Sequence, residues 1–124
     1  MPEKEIYGGL VRLHVLHHAA QEPIFGQAIM DELARHGYRL GPGTMYPILH
    51  GLERSGYLKS KVEKAGQRNR RTYVMTAAGR KALRQAKKRV WELVTELFEE
   101  ELSRGPAIEP SRRGKSMVKR EQGQ

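Results

Sequence analysis

The chain has no cysteine. A disulfide scaffold, a thiolate metal centre and a cysteine nucleophile are therefore excluded. Aromatic residues are few, with one Trp and two Phe in 124 residues. No stretch is long and apolar enough to suggest a membrane span, and no secretory signal is visible at the N-terminus, so a cytoplasmic location is the expectation. No Ser/His/Asp order with a nucleophile turn is present, and an enzyme is not expected. Acids are scarce where the chain is most basic. From Arg35 to Trp91 there are fifteen Lys and Arg but only two acids, Glu53 and Glu63. The other acids gather elsewhere, notably at Glu92, Glu96, Glu99, Glu100 and Glu101.

What remains is a strongly basic chain of formal net charge +9, long enough for one domain with an added helix and tail. A polyanion is the natural partner of its central region. The plain alternative is a merely soluble basic surface.

The most structured signal is Gly41 to Leu58, GPGTMYPILHGLERSGYL. Pro42 suits a first helical turn, where its missing N–H would be unpaired anyway. Met45, Ile48, Leu49 and Leu52 recur at the spacing of one buried helix face. Thr44, Pro47, His50 and Arg54 fall elsewhere on the helix. Gly56 is a left-handed stop. Upstream, apolar residues from Glu5 to Gln21 predict a first, largely buried helix, Glu22-Pro23 a break, and Ile29, Met30 and Leu33 a second helix over Phe25 to His36 capped by Gly37. Downstream, Leu58 to Lys64 alternates as a strand, Ala65 to Arg70 reads as a hairpin tip, and Arg71 to Met75 returns. Thr76 then caps a long helix running to about Ser103, and Gly105-Pro106 breaks it.

The expected fold is mainly α with a small β-wing. Residues 1–75 form a winged helix-turn-helix, 76–103 a C-terminal helix, and 104–124 a disordered basic tail. In such a fold Thr44, Tyr46 and His50 lie where hydroxyls and rings meet phosphates or base edges, and the backbone N–H groups of Gly43 and Thr44 can hold a phosphate. Tyr46 can instead pack against the second helix. Lys64, Arg68, Arg70 and Arg71 surround the wing tip and suit phosphate contact or minor-groove insertion.

The long helix carries two apolar stripes. Leu83, Ala86, Val90, Leu93 and Leu97 form one; Trp91, Val94, Phe98 and Leu102 form the other. Together they span about 180°, more than the roughly 100° that one small domain needs. The surplus predicts a homodimer through Val90, Leu93, Val94, Leu97 and Phe98.

The first helix carries His14, His17 and His18. An i, i+4 imidazole pair can chelate a divalent metal, with a third ligand from His17, from Glu3 or Glu5, or from a second subunit. The plain alternative is hydrogen bonding by half-buried imidazoles. No cofactor is required by any motif, so a metal would act as an effector.

The run PGTMYPILHGLERSGYL, with the basic hairpin and YVMTAAGRKAL after it, resembles the PadR family of bacterial winged-helix transcriptional regulators. The resemblance covers roughly residues 6 to 103 and points to the subfamily with a single C-terminal dimerisation helix. It implies a homodimeric repressor on an inverted-repeat operator, released by an effector. It also implies that the pair Thr44 and Tyr46 contacts DNA, and Pro47 and Arg54 on the same helix are further candidate DNA contacts. In some drug-sensing members a tryptophan on the last helix sandwiches flat aromatic ligands, and Trp91 is similarly placed. His14 and His18 depart from the aliphatic residues usual in the first helix. A rival reading from another class is a protein-interaction module docking an acidic partner.

Overall fold

A computed structural model describes residues 3–104, with side chains from residue 6 onward. The elements are α1 (Glu3–Gln21), β1 (Ile24–Phe25), α2 (Gly26–Arg35), α3 (Pro42–Arg54), β2 (Leu58–Ala65), β3 (Arg68–Met75), α4 (Ala77–Leu97) and α5 (Glu99–Ser103). The expectation for the tail lies outside the described residues, as do the side chains of Glu3 and Glu5.

The core is built by one face of each of the first three helices closing on the sheet. Val11, Val15, Leu16 and Ala19 from α1 meet Ile29, Met30 and Leu33 from α2 and Met45, Ile48, Leu49 and Leu52 from α3, with Ile24, Leu58 and Tyr73 beneath. Both helices of the helix-turn-helix end alike. Gly37 and Gly56 take positive φ, which lets the next amide reach back five residues: Tyr38 N–H to Leu33 O and Tyr57 N–H to Leu52 O, both 2.9 Å. The Leu33 and Leu52 carbonyls, otherwise left over by the helix ends, are thereby paired.

α1 departs from the expected largely buried helix. Its first turns expose Ile6, at 73%, together with Tyr7 and Leu10. The winged core needs one stripe of this helix; of the three, Tyr7 meets Tyr38 edge-on, with ring centroids 6.2 Å apart.

The sheet is antiparallel in the order β1-β3-β2. Strand β1 adds two residues to the wing, pairing Ile24 with Tyr73 and Phe25 with Thr72. The hairpin tip is tighter than expected. Only Gly66 and Gln67 turn, and Arg68, Asn69 and Arg70 already belong to β3. Gly66 has φ +70° and Gln67 does not take positive φ, the pattern of a two-residue II′ turn.

Thr76 caps α4 as expected. Its hydroxyl accepts the Gly79 amide at 2.9 Å and donates to the Gly56 carbonyl at 2.6 Å. Helix α4 gives way at Phe98 (φ −111°, ψ 29°), so the expected single helix to Ser103 is two, α4 and α5. Helical hydrogen bonds persist on both sides, Phe98 N–H to Val94 O and Leu102 N–H to Phe98 O, so this is a kink. Neither proline nor glycine lies there, and nothing in the sequence marks it.

The chain divides into two compact units inside α4, after Lys88, not at the start of that helix. The reason lies in the first turns of α4. Gly79 is buried against the Tyr57 carbonyl and the Met75 sulfur, and Leu83 packs on the winged core. In the second unit Trp91, Leu93, Leu97, Phe98 and Leu102 are exposed, while Val90 and Val94 are half-buried.

Candidate nucleic-acid interface

Burying Met45, Ile48, Leu49 and Leu52 forces the opposite face of α3 outward. That face carries Gly43, Pro47, His50 and Arg54, all exposed and spaced four, three and four residues apart. Thr44 is half-buried beside them. The helix starts with Gly41 extended (φ −92°, ψ 178°) and Pro42 in its first turn. The Thr44 and Met45 amides both reach the Gly41 carbonyl, at 3.1 and 2.9 Å. Of the two amides expected to be free for a phosphate, Thr44's is therefore used, and Gly43's has no acceptor among the described residues.

Tyr46 is not on the open face. Its ring packs against the core, and its hydroxyl lies against Gly26 at the start of α2. His50 sits beside it, with ring centroids 6.4 Å apart.

The wing's four cations are all exposed, and the pleat sorts them. Lys64 and Arg71 share the face of Leu58 and Tyr73, while Arg68 and Arg70 lie on the other face with Thr72. The Arg70 guanidinium stands over the Phe25 ring, 3.8 Å from its centroid, which fixes its stem while leaving the cation at the surface.

Glu53 has a function that sequence reasoning missed. Its carboxylate accepts from the Ser60 amide at 3.1 Å and the Ser60 hydroxyl at 2.8 Å, and Arg71 donates to the same hydroxyl at 3.2 Å. This chain ties the end of α3 to the wing. The other acid of the basic stretch, Glu63, is similarly engaged within the wing, accepting from Thr72 at 3.3 Å and pairing with Lys61 at 3.4 Å. Two acids in a run of fifteen cations were the available signal.

The histidines fall differently from the expectation of His14, His17 and His18. His17 turns to Gln21, whose amide nitrogen lies 3.3 Å from its Nε2. The third imidazole beside His14 and His18 is His36, just past α2, and one ring nitrogen of each lies within 4.8 Å of the others. Spacing along α1 could not reveal a ligand from another helix. Burial lowers the pKa of His14, helped by His36, His18 and His17, with Glu32 opposing. Burial likewise lowers that of His18, against the pull of Glu32. Glu32 is held below the usual carboxylate range mainly by its hydrogen bond from Arg35.

Two surfaces could receive a small molecule. One is Trp91, in the second unit, which is 65% exposed. In the first unit a cleft of about 950 Å³ is lined by Tyr7, Val11, Arg12, Tyr38, Thr44 and Pro47 among others, so it adjoins the start of α3. No described helix is long and apolar enough to cross a membrane.

The sequence profile described as "Transcriptional regulator PadR-like family" matches residues 15–85. The chain is similar to transcriptional regulator Rv3488 of Mycobacterium tuberculosis, with 46% identity over 95 residues, 77% of this chain and 89% of that protein. It is similar to the crystal structure of a PadR family transcriptional regulator from Eggerthella lenta at TM-score 0.67 and 30% identity, over 79% of this chain and 86% of that one. A Streptococcus transcriptional regulator matches at TM-score 0.69 over 77% of this chain and 96% of the other; at 18% identity this likeness concerns the fold.

Proposed function

The chain belongs to the PadR-like family of transcriptional regulators, and from that premise we propose that it binds duplex DNA as a homodimer, represses from an inverted-repeat operator and is released by an effector. The observation that carries the DNA reading is the exposed stripe of Gly43, Pro47, His50 and Arg54 beside a hairpin bearing Lys64, Arg68, Arg70 and Arg71. In this reading α3 enters the major groove, with His50 and Arg54 at base edges and Thr44 and the Gly43 amide at a phosphate. The wing cations hold the flanking backbone. Tyr46 acts behind the contact, bracing α3 on α2.

The homodimer reading is supported by apolar surface that one chain leaves open: Leu93, Leu97, Phe98 and Leu102 in the second unit, and Ile6, Tyr7 and Leu10 on α1. The two-fold symmetry of such a dimer is what matches an inverted repeat. The effector reading has two forms, an aromatic molecule stacked on Trp91 at the dimer interface, or a divalent metal on the α1 imidazoles.

Fluorescence anisotropy tests the DNA reading. The full chain is titrated with a duplex from upstream of its own gene and with a random duplex, over a series of salt concentrations. The expected result is steep salt dependence on both and tighter binding to one palindromic segment. Salt-insensitive or absent duplex binding would overturn it.

A further inference from the structure

His14 and His18 stand one turn apart on α1 with nearly parallel rings, 15° between planes and 6.5 Å between centroids. His36 comes across from the end of α2, stacked on His14 at 5.0 Å and lying 6.4 Å from His18. One ring nitrogen of each residue lies within 4.8 Å of those of the other two. Glu32, one turn before His36, places Oε2 3.4 Å from His36 Nε2 and 3.8 Å from His18 Nε2. Among the described residues nothing hydrogen-bonds to the His14 ring. Glu32 lies beside two of the rings, and among the described residues the third, His14, has no carboxylate within 4 Å, which leaves its nitrogens open to an ion as well as to water.

We propose that His14, His18 and His36 form a divalent-metal site, with the Glu32 carboxylate on its flank, that ties α1 to the turn leading into α3. Zinc–imidazole bonds of about 2.0–2.1 Å in a tetrahedral set bring ligand nitrogens about 3.3 Å apart, so the nitrogen–nitrogen separations shorten by at most about 1.5 Å. All three rings are at least partly open to solvent, which leaves room for side-chain torsions to make that movement. Three nitrogens and a carboxylate suit zinc or nickel, and the absence of cysteine disfavours a soft ion. The position gives the ion leverage. His36 is the C-cap of α2, and the five residues after it lead straight to Pro42, the first residue of α3. An ion held between α1 and His36 fixes that connection.

The proposal does not depend on the DNA-binding reading, and its test uses no DNA. Metal-free full-length protein is titrated with zinc chloride and with nickel chloride by calorimetry at neutral pH. Wild type should bind one ion per chain. His36→Gln and His14→Gln should each weaken binding at least tenfold, and His17→Gln should leave it unchanged. Thermal unfolding in chelator confirms that each variant is folded; because His36 is exposed, its variant should melt with wild type. Zinc should also slow amide exchange over residues 36–44 in wild type and not in His36→Gln. No binding by wild type, equal affinity in His36→Gln, an equal loss in His17→Gln, or unchanged exchange over 36–44 would overturn the proposal.

Discussion

The hydroxyl of Tyr46 rests on Gly26, so close that a Cβ at Gly26 would overlap the phenol oxygen and ring. The first residue of α2 and the second turn of α3 are therefore locked face to face, which fixes how far α3 stands out from the core. Gly26→Ala should destabilise the fold by about 1–3 kcal/mol, the usual cost of overpacking a tight contact. Combining it with Tyr46→Leu should cost less than the sum of the two single changes, because the second removes what the first strikes. Chemical denaturation of the four proteins reads this directly. Additive losses would mean that the two residues do not bear on each other.

Glu53 makes a second link, between α3 and the wing. Glu53→Ala leaves the Ser60 amide and hydroxyl without their acceptor in a partly buried place. A loss of about 1–3 kcal/mol is expected. Glu53→Gln, which keeps one acceptor oxygen, should lose less. If the wing is docked by this bond, amide exchange over β2 should quicken in the Ala variant more than in α1.

Tyr73 is fully buried, and its hydroxyl has no hydrogen-bond partner among the described residues. Burial, together with Glu53 and Tyr46, raises its pKa above the ordinary value near 10, against the pull of Arg71. The folded state therefore holds this proton more tightly than the unfolded chain. The associated stability is complete below about pH 10 and is lost as pH rises through the folded value. Tyr73→Phe should be at least as stable as wild type at neutral pH and should lose less stability than wild type between about pH 9 and pH 11. Denaturation across that range checks both statements.

The parts legible in the sequence are those whose signals are local. Pro42, the apolar spacing from Met45 to Leu52 and the glycine stop at Gly56 all act within one helix, and α3 runs from Pro42 to Arg54. Thr76 announces α4 in the same way. What was not legible depends on a partner from elsewhere. Strand β1 has two residues, too few to alternate, and exists only because β3 pairs with it. His36 joins His14 and His18 because α2 lies beside α1, which no spacing records. Polar residues from Arg68 to Arg70 looked like a loop, yet they continue the ladder opposite Ala65, Lys64 and Glu63, since an exposed wing needs no apolar alternation. The broad apolar stripe of α1 predicts burial along the whole helix, yet Ile6, Tyr7 and Leu10 are exposed, since the winged core takes up only the part of the stripe from Val11 to Ala19.

The wing cations should act through phosphates. Arg68→Ala with Arg70→Ala should weaken upstream and random duplexes alike and reduce the salt slope by about 2 per subunit, because each phosphate contact contributes close to one. The same change removes the Arg70 stack on Phe25, so a stability loss of about 0.5–1 kcal/mol should accompany it. Arg54→Ala, at the outer end of α3, should instead narrow the gap between upstream and random duplex. Identical salt slopes in wild type and the double variant would remove the wing from the interface.

The proposed dimer can be tested without confusing dissociation with unfolding, because the side chains concerned are exposed in the single chain. Leu93 is 50% and Leu97 64% open to solvent, and neither belongs to the core of the winged unit. Leu97→Glu should therefore leave the protomer's own packing intact. In a two-fold interface it buries two carboxylates in an apolar seam, each uncompensated, and the dimer should come apart. Light scattering should fall from twice the chain mass to once, with the far-ultraviolet helix signal retained. Mass action then predicts a second effect: wild type melts at a temperature that rises with protein concentration, and Leu97→Glu melts at one that does not. A variant that remains dimeric places the interface away from Leu97. A variant that loses its helix signal as it dissociates shows that the protomer depends on its partner to fold.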